Sequence, residues 1–264
     1  YTYNKLATLT QQTRVLGLFA PIGLPWVLDD TRRNRLSYMT QHAIKHLENP
    51  NGYFLLIEAS QVDWAGHAND IGSAMAEMHD LALTMTYLEQ YVQNNPDTLV
   101  VLTADHSTGG LTIGAKGEYR WSPEHIKNMT ASIEATVPKL ATVNNRVALV
   151  ESAFGFTLNE EEKALVNTID TSLEPRAQAV PLKTIVDNRT NTGWTTSGHT
   201  GVDVYIFAFG KGFEHFRGAM DNTDIAHKIF DLLGDTARSP EAVRESGEAE
   251  EDSEICSFKD SWRC

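Results

Sequence analysis

Cysteine is nearly absent from this sequence, with two among 264 residues, Cys256 and Cys264. A bridge between them would close only a small loop, and they say little about redox compartment. Long apolar runs are absent too. The longest, such as Tyr53–Ile57 and Leu99–Leu102, are strand-sized, far short of the eighteen or more residues that a membrane-spanning helix needs. Positive charge is scarce: 22 Lys and Arg stand against 35 Asp and Glu, for a net charge of −13. Such a surface repels a phosphate backbone and argues against a nucleic-acid partner. No internal repeat and no glycine-rich nucleotide loop occurs. The opening Tyr1-Thr2-Tyr3-Asn4-Lys5 is not a charged region followed by an apolar one, so it does not read as a signal peptide. The expectation is a processed chain or a piece of something longer.

What is present has α/β character. Residues 31–48 place Leu36, Met39, Ala43, Ile44 and Leu47 at helical spacing, and Asn49-Pro50-Asn51-Gly52 then marks a turn. The continuous apolar run Tyr53–Ile57 fits a strand buried on both faces. A long periodic helix over 70–92 leads through Pro96-Asp97 into a second buried strand at Thr98–Thr103. This strand–helix–strand order predicts a parallel sheet. Residues 113–195 read as an inserted subdomain: a polar helix near 122–138, a short patch at 147–154, an acidic helix start at Asn159–Glu162 and an Asn/Thr-rich loop at 187–196. Val202–Phe209 returns to strand character, and Thr223 caps a short helix ending at Leu233. The resulting division is 1–112 (partial α/β core), 113–195 (insertion), 196–236 (return to the core) and 237–264. The last segment is crowded with acids from Glu241 to Glu254 and is expected to be a disordered tail.

Three clusters carry ligand chemistry, each beside a predicted strand, where sites form in open α/β sheets. In the first, a buried run enters Glu58, followed by Asp63 and His67. Asp63 and His67 are spaced i, i+4, so one helical turn puts both on one face. Carboxylate plus imidazole suits zinc, whereas Glu58 offers only oxygen, which suits magnesium. The second cluster, Asp105-His106-Ser-Thr-Gly-Gly110, follows a Val/Leu strand, and its glycines allow close backbone approach. The third is Ser197-Gly198-His199-Thr200-Gly201, a histidine on tight backbone. Taken singly, each fits a plainer role as strand-end charge, helix cap, solvent-facing turn or structural histidine.

Together the segments EASQVDWAGHAND, VVLTADHSTGG and SGHTGVDV resemble the metal-binding segments of alkaline phosphatases, in that family's order. The resemblance is strong over about residues 50–112 and clear over 193–212. It implies an alkaline-phosphatase-like fold, a central mostly parallel sheet flanked by helices, with residues 113–195 in the position of the family's crown insertion. It implies phosphate monoester hydrolysis at two Zn2+ ions and one Mg2+ ion. Residue by residue, Asp63, His67 and His199 match the ligands of the first zinc, Asp105 and His106 match ligands of the second, and Glu58 matches the magnesium ligand. Trp64 stands beside the site where family members vary among Lys, Trp and His. The resemblance further implies phosphomonoester substrates, a homodimer in the full-length enzyme and a periplasmic or secreted location. Asn128-Met-Thr and Asn188-Arg-Thr fit the glycosylation pattern. His42, His46, His79, His125, His215 and His227 match no motif.

The match has a gap. The family's nucleophilic serine, phosphate-clamping arginine and bridging aspartate belong to a region upstream of these segments. Ser37 is the only serine in residues 1–50 and sits in a predicted helix without that context. The expectation is a fragment, inactive alone, that lacks its nucleophile. Two other readings stay open: another hydrolase of the same superfamily, such as a phosphodiesterase or sulfatase, and a non-catalytic metal-binding pseudoenzyme.

Overall fold

A computed structural model describes residues 3–10 and 14–234. In chain order the helices are α1 (Arg35–Leu47), α2 (Ser60–Ala68), α3 (Ile71–Asn94), α4 (Ile133–Thr136), α5 (Arg146–Phe154), α6 (Glu160–Asn167), α7 (Pro175–Thr190) and α8 (Asn222–Leu233). The strands are β1 (Leu99–Leu102), β2 (Ser107–Thr108), β3 (Thr112–Ile113), β4 (Thr192–Gly193), β5 (His199–Thr200) and β6 (Phe207–Gly210). They pair antiparallel as β1 with β6, β2 with β5 and β3 with β4. No described helix is long and apolar enough to cross a membrane. The acidic tail and both cysteines lie outside the described residues.

The chain forms two compact units, one of residues 1–95 and 106–204, the other of 96–105 and 205–264. In the larger unit α1 lies on α3, locked by the buried Arg35 guanidinium. Its Nη2 donates to both Glu77 oxygens at 3.1 Å and its Nη1 to Asp30 at 3.1 Å, and Asp80 stands 3.8 Å away. Burial pushes the Glu77 carboxyl up, against the pull of Arg35 and the Val27 N–H. Next, α2 turns sharply into α3. Asn69 takes the left-handed conformation (φ 48°), which Asn tolerates better than most residues, and Asp70 caps the new helix. The Asp70 carboxylate accepts from the Ser73 N–H at 3.1 Å and hydroxyl at 2.9 Å, and from the Ile133 N–H at 3.1 Å. One side chain therefore caps both α3 and α4 and docks the insertion on the α2–α3 corner.

The insertion holds the main apolar core. Ile133, Leu140, Val150, Phe154, Leu158, Val166, Leu182 and Ile185 are all nearly inaccessible there. The predicted polar helix over 122–138 is instead a 3-10 turn, α4 and a second 3-10 turn. Pro138 accounts for the break after Thr136, because proline lacks the N–H that a continuing helix needs. The predicted loop at 187–196 is partly helix: α7 runs to Thr190 with Pro181 inside it, and Asn191 (φ 57°) ends it. The acidic start at Asn159 is a capping box, with Asn159 and Glu162 bonding each other's backbone N–H.

Two strand expectations differ from the structure. Tyr53–Ile57 forms no ladder, and among the described residues Phe54–Ile57 make no backbone hydrogen bond. Exposure alternates along it: Phe54 and Leu56 are 58% and 78% exposed, with half-buried residues between them. The run is therefore apolar on both faces but covered on one. The parallel pairing that strand–helix–strand order predicts is absent among the described residues, because this run has no partner there.

In the smaller unit, β1 pairs with β6 from Leu99↔Gly210 to Leu102↔Phe207, so strand character after Val202 is confined to Phe207–Gly210. The ladder extends through the Lys211 N–H to the Thr98 carbonyl (2.9 Å) and a Lys211–Asp97 ion pair at 2.6 Å. Helix α8 is capped by Asp221, not Thr223, in a capping box with Asp224.

Candidate metal centre

Asp63 and His67 lie one turn apart on α2, and His199 opens β5. One ligand atom from each gathers within 4.8 Å of the other two. His67 Nε2 is 3.1 Å from His199 Nε2 and 3.4 Å from Asp63 Oδ2. Ligands at zinc's usual bond lengths on a tetrahedral ion stand about 3.3 Å apart, so these separations fit a tetrahedron's edges. The donor set, two imidazoles and a carboxylate, also suits zinc.

The surrounding contacts orient these donors. His67 Nδ1 donates to the Ser197 carbonyl at 2.6 Å. A carbonyl carries no proton, so Nδ1 must hold it, which leaves Nε2 with a lone pair facing the cluster. The other Asp63 oxygen accepts from the Thr108 hydroxyl. That hydroxyl also lies 3.3 Å from His106 Nδ1. His106 stacks on His199 with ring centroids 3.4 Å apart, and its Nδ1 is 4.0 Å from Asp63 Oδ1. His106 thus stands directly beside the trio.

Antiparallel pairing of β2 with β5 makes this convergence. Ser107 faces Thr200, and Thr108 faces His199. Gly109 is left-handed (φ 79°) and pressed close to α2: an added Cβ would lie 2.9 Å from the Gly66 carbonyl. Only glycine satisfies both demands. The loop before β5 is held as well. Gly109 N–H donates to the Gly198 carbonyl at 2.8 Å, and Asn69 Nδ2 donates to the Thr196 carbonyl at 2.9 Å.

The remaining residues singled out by sequence are not part of this trio. Glu58 is exposed and, with Trp64, borders a cavity of about 310 Å3 lined also by Leu18, Ile22, Met39 and Val62. Trp64 is 39% exposed and packs near Gly23. Asp105 belongs to the smaller unit and is exposed. Sequence reasoning passed over Thr108 and the Ser197 carbonyl. Thr108 was readable, since it lies within the Asp-His-Ser-Thr-Gly-Gly run. The carbonyl was not, because a backbone group has no residue type.

The family model for alkaline phosphatase matches residues 2–234. Alkaline phosphatase 3 of Bacillus subtilis is 40% identical over 232 residues, covering 84% of this chain and 49% of that protein. Alkaline phosphatase 4 of the same organism is 37% identical, covering 83% and 48%. The chain thus spans about half the length of the curated relatives it matches. The crystal structure of a cold-active alkaline phosphatase from a psychrophilic Shewanella superposes with a TM-score of 0.82 at 46% identity, covering 88% of this chain and 58% of that one. The Thermus thermophilus enzyme superposes at 0.71 with 25% identity. These likenesses bear out the α/β, alkaline-phosphatase-like fold, and by the family match across residues 2–234 the chain belongs to the alkaline phosphatase family.

Proposed function

We propose that this chain supplies the metal-binding part of a phosphomonoesterase that works with two zinc ions and one magnesium ion. The observation that carries the reading is the convergence of Asp63 and His67 with His199, which lies 132 residues beyond His67, onto separations a zinc ion accepts. These three would hold the first zinc, Asp105 and His106 would serve the second, and Glu58 the magnesium. When bound, the metals neutralise phosphoryl charge and clamp the entering and leaving oxygens. The protein's own part is orientation. The Ser197 carbonyl sets the His67 tautomer, Thr108 holds one Asp63 oxygen, and the β2–β5 pairing brings His199 to the cluster. Such supporting contacts raise ligand basicity and fix ring direction.

The substrates are phosphomonoesters. The full-length enzyme is a homodimer, and it is exported to the periplasm or outside the cell. Neither the nucleophilic serine nor the phosphate-binding arginine is assigned to residues 1–264.

Zinc titration against a competing chelator tests the site. The chain should bind zinc, and His199→Ala should weaken that binding at least a hundredfold. Unchanged affinity in His199→Ala would sink the trio. Activity is a separate measurement. With zinc and magnesium supplied, the chain alone should turn over p-nitrophenyl phosphate poorly or not at all. Robust turnover that His199→Ala abolishes would show that the nucleophile lies within these residues after all.

A further inference from the structure

A polar contact within the helical insertion lies beside the Gly109 turn. Asp187, on α7, accepts the Trp194 indole N–H at 3.1 Å. Burial pushes the Asp187 carboxyl up to about 6, and the indole N–H opposes that shift. Trp194 packs against the insertion's apolar core and covers Gly109. A Cβ added to Gly109 would lie 2.7 Å from the indole Cε3 and Cζ3. It would also lie 2.9 Å from the Gly66 carbonyl, within α2. Gly66 sits between Asp63 and His67, and its own added Cβ would meet Thr108 Cβ at 3.0 Å. Indole, glycine turn and helix are therefore packed too closely to admit a methyl group. The Gly109 carbonyl also accepts from the Thr195 and Thr196 N–H groups at 3.1 and 3.2 Å, which ties the turn to the chain leading into His199.

We propose that Asp187 and Trp194 are positioning residues for the metal ligands. Asp187 holds the indole in place, and the indole keeps the Gly109 turn against α2. Thr108 and His199 thereby stay in register with Asp63 and His67. Neither side chain belongs to the ligand segments. The inference rests on the metal reading above and adds a function for the insertion, which reaches the site through α7.

The contact can be removed from either end. Asp187→Ala deletes the acceptor, and Trp194→Phe deletes the donor while keeping an aromatic cover over Gly109. Loss of a contact that orients ligands costs on the order of tenfold to a hundredfold in metal affinity. Each variant of the full chain should therefore bind zinc about tenfold more weakly in chelator competition. The double variant should be no weaker than either single one, since both remove the same bond. Asp187→Asn keeps an acceptor oxygen and should stay within about twofold of the parent. Cobalt-loaded protein adds a spectroscopic readout: the visible bands should shift in Asp187→Ala and return in Asp187→Asn. Trp194→Phe preserves most of the packing, so its result stands should Asp187→Ala fail to fold. Unchanged zinc affinity and cobalt bands in Trp194→Phe, with binding still lost in His199→Ala, would overturn the positioning role alone. Unchanged affinity in His199→Ala would overturn the metal reading and this inference with it.

Discussion

The insertion and the run Tyr53–Ile57 both carry large apolar side chains, yet these meet opposite fates in one compact unit. Phe154, Leu182 and Val166 in the insertion are essentially inaccessible, whereas Phe54 and Leu56 stand more than half exposed. The difference is one of backbone chemistry. A helix pairs its N–H and C=O groups within itself and needs neighbours only for its apolar stripe. A strand leaves those groups unpaired until another strand arrives. The insertion therefore closes a core mostly from its own residues, joined by Ile71 of α3, and the run 53–57 depends on what lies beside it.

Truncating Phe154 should have the largest effect. Phe154→Ala should cost about 3–5 kcal/mol in urea unfolding. A much smaller loss would mean that the insertion is looser than its burial implies. Zinc comes next. At a hundred times its dissociation constant it should stabilise the chain by about 2.7 kcal/mol, and His199→Ala or a chelator should remove the gain. This sharpens the comparison, because the gain comes from ligands outside the insertion's core.

A smaller effect is tied to Asp187. Burial holds its carboxyl near 6 in the folded chain, against 3.8 as the ordinary value. The folded state then binds more protons than the unfolded one between those values, so stability falls as pH rises from 4 towards 6. The groups acting on it are Asp70, which raises the value, and Lys183 and Lys116, which lower it. In metal-free buffer Asp187→Asn should remove roughly 1–3 kcal/mol of that slope. A parent and variant with parallel pH profiles would contradict it. The smallest effect belongs to the exposed run. Leu56→Ser should change stability by no more than about 0.5 kcal/mol, as at other exposed positions. A loss as large as that of Phe154→Ala would erase the contrast between the two regions.

Much of this was legible in the residue order. The periodicity over 31–48 and 70–92 corresponds to α1 and α3, and the i, i+4 pair Asp63 and His67 does lie on one helical turn. Helix signals are local, so they survive reading from sequence. The acidic helix start at Asn159 was visible for the same reason. The loop reading at 187–190 failed because Asn and Thr carry loop character in composition, while packing of Leu182, Ile185 and Val186 into the core extends α7 past Pro181. The strand at 53–57 was read from apolarity, which reports a demand for burial and says nothing about whether a partner is present. The approach of His199 to His67 was named only through resemblance. No pattern of period or spacing links residues 132 positions apart.

By itself the sequence determined α1, α3 and the types and order of the candidate ligands, because those depend on neighbours within a few positions. Tertiary structure alone decided which ligands meet. The β2–β5 pairing and the left-handed Gly109 turn, pressed close to Gly66, set β2 and β5 against α2, and close packing fixes side-chain separations that no local rule contains.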